Sequence, residues 1–328
     1  MTNPMMRHAR AALAILAGLA MAGGAVAQSY PQKSVRVVVP YPPGGGTDIL
    51  ARPIAQRITE RLGQSFVIDN RGGATGMIGT DIVAKAPPDG YTVLLSASPE
   101  IVANQWLFKT MQYDAVRDLR PVTQLAITPV IIVTIPSLPA KTMKEVVALG
   151  RAHRGQLSYG SSGHGSPHNM VGELLRLQTG VEFIHVPYKG GGPQVIDTLG
   201  GHVVISMFTL PVVTPHVKSG KLRGIAVTVP NRSPAVPNIP TMTESGFPGF
   251  DVSQWFAVFV PAGTPAEIVR ILHAEVTEAL KIPEIRARQL EQGYEPVGST
   301  PDAFAQYIKE EIAKYAKLIK DTGIKIQQ

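Results

Sequence analysis

Residues 35–48 read Val-Arg-Val-Val-Val-Pro-Tyr-Pro-Pro-Gly-Gly-Gly-Thr-Asp. A β-branched run stops at prolines, three glycines follow, and Leu50, Ile54, Ile58 and Leu62 continue at helical spacing. That order predicts strand, loop and helix, one unit of an α/β fold. In such folds ligands sit beyond the carboxyl ends of the strands, where a glycine loop exposes backbone N–H groups and a helix N-terminus favours an anion. Gly44, Gly45 and Gly46 are therefore candidates for holding a carboxylate or phosphate, the alternative being a plain tight turn.

The same grammar recurs. Residues 64–69 predict a second strand, and Asn70-Arg71-Gly72-Gly73-Ala74-Thr75-Gly76 predicts a loop opening a short helix through Ile78, Ile82 and Val83. The turn Pro87-Pro88-Asp89-Gly90 precedes a strand over 91–95, whose end carries Ser96 and Ser98. An apolar run over 130–135 leads to Thr142-Met143-Lys144-Glu145, a capping box for a helix ending near Gly155. A strand over 157–160 then meets Ser161-Ser162-Gly163-His164-Gly165-Ser166-Pro167, where Ser166 can cap and Pro167 can start a helix. The fourth instance runs from His185 through Tyr188, Gly190, Gly191 and Gly192 to Pro193, read as a proline-started helix. Residues 203–208, 222–228 and 255–260 predict strands, with a proline-rich passage over 230–248. Thr264-Pro265-Ala266-Glu267 predicts a second capping box with a helix through Leu280. Thr300-Pro301 opens the last helix, whose stripe of Phe304, Ile308, Ile312, Tyr315 and Ile319 predicts core packing.

Residues 1–27 stand apart. Arg7 and Arg10 precede an apolar run, and Ala25-Val26-Ala27 has the form of a signal-peptidase site, so the mature chain is expected to start at Gln28. The run is shorter than the roughly 20 residues that span a bilayer, so no membrane insertion of the mature chain is expected. The 301 residues that remain of 328 suffice for two domains. Arg7 and Arg10 apart, Lys and Arg outnumber Asp and Glu by five, 29 to 24, without a basic block, which argues against nucleic acid as a partner.

Catalysis and metal binding fit poorly. The glycine spacings match neither a dinucleotide fingerprint nor a phosphate-binding P-loop. Gly160-Ser161-Ser162-Gly163 is not a nucleophile elbow. Pro167 separates His164 from His168, there is no cysteine, and no acidic cluster accompanies the pair, so neither metal nor cofactor is expected. His164 reads as a hydrogen-bond donor to a ligand and His168 as structural.

The chain resembles the solute-binding receptors of tripartite tricarboxylate transporters, the Bug receptors. The stretches that carry the resemblance are 40–45 with Asp48 and Ala51-Arg52; 70–74 with Gly76 and Gly79; 88–92; 159–161 with Gly163, Gly165-Ser166 and His168; 185–190; and Pro240-Thr241 with Glu244-Ser245-Gly246. They keep the family's order across the mature chain. The resemblance implies a type II periplasmic binding protein: two α/β domains with a ligand cleft between them, and crossings near Thr128 and Thr228. Residues 28–128 and 229–328 would build one domain and 129–228 the other. It also implies a monomer that is periplasmic and not an enzyme, and that passes a small carboxylate to the transporter's membrane components. A receptor serving a sensor kinase, or an exported hydrolase, are the alternatives. The ligand positions implied are Tyr41, Pro43, Gly44, Gly45, Gly46, Thr47, Asp48, Ala74, Ser96, Ser98, Ser161, Ser162, Ser166, Tyr188, Gly190 and Gly191, with His164 beside them.

One departure bears on the ligand. Many members carry acidic residues where this chain has Val204 and Phe208. Phe208 stands at a strand end, so it either faces the cleft, favouring a carboxylate with an apolar or aromatic body over one with an ammonium group, or points into its own domain's core. The three-part start of the chain predicts processing: protein recovered from the periplasm should have the intact mass of a chain beginning at Gln28, and a retained Met1 would refute it.

Overall fold

A computed structural model describes residues 30–324, and the leader expected over 1–27 lies outside them. Of the unit 1–32, Tyr30, Pro31 and Gln32 are described, as irregular backbone; the fold below concerns the unit from Lys33 onward.

The valine run forms β1 (Val35–Val39), and the glycines open α1 (Gly46–Leu62). Then come β2 (Phe66–Asn70), α2 (Met77–Ala84), β3 (Thr92–Ala97), the short α3 (Asn104–Leu107) and β4 (Leu119–Thr134). The middle of the chain supplies α4 (Met143–Ala152), β5 (Ser158–Ser161), α5 (Pro167–Thr179), β6 (Ile184–Pro187), α6 (Gly191–Leu199), β7 (Ile205–Thr209), α7 (Leu210–Lys218) and β8 (Arg223–Val227). It closes with β9 (Ser253–Pro261), α8 (Ala266–Lys281), α9 (Pro283–Gln292), β10 (Glu295–Pro296) and α10 (Pro301–Thr322).

The strands order as β2-β1-β3-β9-β4-β7-β5-β6, with β8 and β10 also on β4. The pairs β1 with β2 and β3, and β5 with β6 and β7, are parallel, which places helices in the crossovers; the inner strands β1, β3 and β7 are mostly buried, while the edge strands β2 and β6 are partly exposed. β4 runs antiparallel to β9 from Leu119 to Pro129, then to β7 from Val130 to Thr134. The partner changes at Pro129, a residue with no N–H to place in a ladder. Among the described residues, buried apolar clusters flank the sheet around Val38, Leu94, Trp255 and Phe304, around Ile132, Val146 and Met207, and around Ile131, Phe208 and Val213.

Several local readings hold. Thr142 and Glu145 form the capping box, Ser166 accepts from Asn169 N–H, and Thr300 accepts from Ala303 N–H. Two differ. α6 begins at Gly191, two residues before Pro193; a proline also fits there, because the first four N–H groups of a helix have no intrahelical acceptor. Pro265 is the cap residue of α8, and the Thr264 hydroxyl is buried rather than capping. α7 was not foreseen, since it contains Pro211 and Pro215.

A buried polar contact inside apolar packing helps tie the last helix to the sheet. Trp255 Nε1 donates to Glu311 Oε2 at 3.0 Å while the indole meets the Phe304 ring edge-on at 5.5 Å. Trp255→Phe removes the donor and part of the volume. It should lower stability by about 2–4 kcal/mol in urea unfolding followed by circular dichroism. A loss under about 1 kcal/mol would mean that this contact does not anchor α10.

Candidate functional site

Strands β1, β5 and β7 end at one place. There the β1–α1 loop, the β5–α5 loop, the start of α6 and the β7–α7 junction line a narrow cavity. Its wall is Tyr41, Gly45, Gly46, Thr47, Ser162, His168, Gly191, Phe208, Thr209 and Gln254. None of these carries a charge at neutral pH, since burial pushes the His168 imidazole down to about 3.

Three helices point their N-termini here without a side-chain cap. The cap residues of α1, α6 and α7 are Gly45, Gly190 and Thr209, and none supplies a capping hydrogen bond. The early N–H groups of a helix have no intrahelical acceptor and carry partial positive charge, so this wall suits an anion without a lysine or arginine. Glycine is required by proximity. A Cβ at Gly192 would overlap the Pro43 carbonyl oxygen, and one at Gly46 would lie 2.9 Å from Thr209 Oγ1. Gly190, at φ 126°, lets its loop approach Pro42.

The first loop is held from behind. Asp48 accepts from Gly44 N–H at 3.0 Å and Asn70 Nδ2 at 3.1 Å, and is chelated by Arg52. Burial would raise its carboxyl, but the bonds from Arg52, Gly44 and Asn70 outweigh that and hold it below the usual range. Tyr294 donates to Gly46 O at 2.6 Å. At the rim, Ala74 and Thr75 sit at φ 47° and 48°, a costly conformation for non-glycine residues, and Thr75 Oγ1 donates to His164 O at 3.1 Å. Contacts thus join the loop after β2 to the loop after β5, and the loop after β1 to the start of α6.

Of the residues singled out in the sequence, Tyr41, Gly45, Gly46, Thr47, Ser162, Gly191 and Phe208 lie on the cavity wall. Phe208 joins both alternatives: fully buried, it packs in the cluster with Ile131 and Val213 and also faces the cavity. Pro43, Gly44 and Ala74 are exposed on the surrounding loops. Ser161 binds His185 Nε2 at 2.7 Å, Ser166 caps α5 and donates to Gly163 O, and Tyr188 donates to Asp197. Ser96 and Ser98 are buried at the end of β3 and absent from the wall, and the exposed His164 rests edge-on against His185. Thr209 and Gln254 carry no sequence signal. His168, read as structural, is on the wall, and its Nδ1 lies 2.6 Å from Ser162 Oγ across a Gly-His-Gly-Ser-Pro turn.

Behind Tyr41 lies a buried carboxyl. Tyr41 Oη donates to Glu100 Oε2 at 2.7 Å, and Ala97 N–H donates to Oε1 at 2.8 Å. Burial pushes the Glu100 carboxyl up to about 7 against those two bonds. Among the described residues no group of three His, Cys, Asp or Glu side chains could hold a metal, and no helix is long and apolar enough to cross a membrane.

Because the folded state binds the Glu100 proton more tightly than the unfolded chain does, the stability this group supports is full below about pH 4 and falls as pH rises through about 7. Glu100→Gln cannot ionise. Relative to wild type it should gain up to about 3 kcal/mol between pH 4 and pH 8 in chemical denaturation. A constant offset across that range would show that Glu100 does not titrate there.

The model of the tripartite tricarboxylate transporter family receptor matches residues 50–324 of this chain. The chain is 38% identical over 302 residues to protein BugT of Bordetella pertussis, spanning 92% of this chain and 93% of the relative. It is similar in structure to R. palustris Rpa4515, solved with adipate, at a TM-score of 0.88 and 38% identity over 90% of this chain and all of that one. MatC (Rpa3494) from Rhodopseudomonas palustris, solved with bound malate, matches at a TM-score of 0.83 and 32% identity over 88% of this chain and all of that one.

Proposed function

This chain belongs to the tripartite tricarboxylate transporter receptor family, a family of periplasmic solute receptors rather than enzymes, and from that premise we propose that its cavity captures a small carboxylate for delivery to the membrane components of such a transporter. The observation that carries the reading is the convergence of three uncapped helix N-termini on one uncharged wall. A carboxylate there gains N–H donors and dipole fields from preorganised backbone and pays no entropy to order a cationic side chain. The ligand lacks an ammonium group, because no acidic side chain lines the wall and Phe208 offers apolar surface in its place. Adipate and malate in the related structures fit that description.

Tyr41, Gly45, Gly46, Thr47, Ser162, Gly191 and Phe208 contact this ligand. The remaining loop residues, among them Asp48, Ser161, Ser166, Tyr188 and Gly190, shape the loops. The sheet halves on either side of the β4 partner change act as two lobes, with crossings near Thr128 and Thr228. Thr228 Oγ1 donates to both Val130 O and Val252 O, which supports a hinge there. The receptor works as a monomer after export and removal of residues 1–27.

Calorimetric titration with adipate and malate tests the reading. Gly192→Ala should weaken the tighter ligand at least about tenfold by forcing the loops apart, whereas the exposed Lys189→Ala should cost under about threefold. Loss of binding in Lys189→Ala with Gly192→Ala intact would replace the helix-terminus mechanism by a paired cation. No binding of either acid, or of other mono-, di- and tricarboxylates, would end the carboxylate reading.

A further inference from the structure

The helix termini account for an anionic end of a ligand, yet two side chains of the same wall each keep a polar atom without a partner among the described residues. His168, 2% exposed, places Nδ1 2.6 Å from Ser162 Oγ, and its Nε2 has no hydrogen-bond partner among the described residues. Gln254, 7% exposed at the start of β9, leaves Oε1 likewise unpartnered. Buried polar atoms are nearly always paired in native proteins, because an unpaired one forfeits its hydration, so two orphans on one cavity wall point to a ligand group.

Their chemistry restricts that group. Burial keeps the imidazole neutral with one ring proton. Ser162 Oγ occupies Nδ1, and with its O–H donating there the ring proton sits on Nε2; Nε2 is then a donor, while Gln254 Oε1 can only accept. A carboxylate or ketone only accepts and an ammonium only donates. A hydroxyl does both without charge.

We propose that His168 and Gln254, with Ser162 setting the tautomer, form a hydroxyl-reading pair that makes this receptor select a hydroxycarboxylate over the same acid without the hydroxyl. This rests on the carboxylate-receptor reading above and adds the specificity to it. A site built to hydrogen-bond a hydroxyl rejects the analogue lacking it, since rejection leaves both buried groups unpaired.

The test is calorimetry on the full mature chain with three matched pairs: malate and succinate, 2-hydroxyglutarate and glutarate, 2-hydroxyadipate and adipate. Wild type should prefer the hydroxylated member of its best-bound pair by at least about tenfold, and Gln254→Leu should bring that ratio to within about threefold. Gln254→Leu should also melt at a higher temperature than wild type without ligand, because it deletes an unpaired acceptor. Should it fail to fold, Ser162→Ala, at a partly exposed position, serves instead: it frees the tautomer and should lower the ratio at least about threefold. Equal affinities within every pair in wild type, or a ratio unmoved by the variants, would assign the two atoms to internal water and overturn the proposal while leaving the carboxylate reading intact. Binding of none of the six acids would remove both.

Discussion

Strand β4 is the constraint on which the other parts depend. A single run of backbone, Leu119–Thr134, is buried almost throughout and hydrogen-bonds to β9 along one part and to β7 and β8 along the other. Registers on both sides are thereby set by one chain segment. The cavity lies beside the handover: Gln254 pairs with Thr128 in the ladder, Thr209 with Val130, and Phe208 with Ile131. Residues far apart in the chain reach one wall because β4 measures the distance between them.

Polar economy explains the look of the site. A helix N-terminus can be satisfied by its own side chain, as at α4, α5 and α10, or left to something else, as at α1, α6 and α7. Side-chain caps are also missing at α2, α3, α8 and α9, but the termini of α1, α6 and α7 are the ones that share a wall. Their loops approach so closely that side chains are excluded at Gly46 and Gly192, so that backbone supplies the donors there. Charged groups are kept behind the wall, where Asp48 and Arg52 neutralise each other and Glu100 sits under Tyr41. A mobile cation would bind an anion as well but with less discrimination, since a point charge does not read shape.

Much of this was legible in residue order. The alternation of β-branched runs, glycine loops and helical spacing located β1 with α1, β5 with α5 and β6 with α6, because those signals are local and each follows from backbone sterics. Caps at Thr142 and Ser166, and the start of α10 at Thr300-Pro301, were legible for the same reason. What failed locally failed through competition: Pro265 took the cap position once the Thr264 side chain was drawn into the interior, and Pro211 and Pro215 disguised α7 although a helix tolerates the first at its start.

The sequence by itself determined the α/β class, the glycine loops at which α1 and α6 present backbone N–H groups, and, through its resemblance, the receptor family. Only the tertiary structure decided which of the polar candidates share a wall. Ser96, Ser98, Ser161 and Ser166 look as suitable as Ser162 in one dimension, yet their hydroxyls are turned to internal partners or buried at β3, whereas His168, Thr209 and Gln254 arrive at the cavity unannounced. The physical reason is range. Strand, turn and cap preferences act within a few residues, but a side chain's facing is set by packing against segments more than a hundred positions away, as when β4 aligns β9.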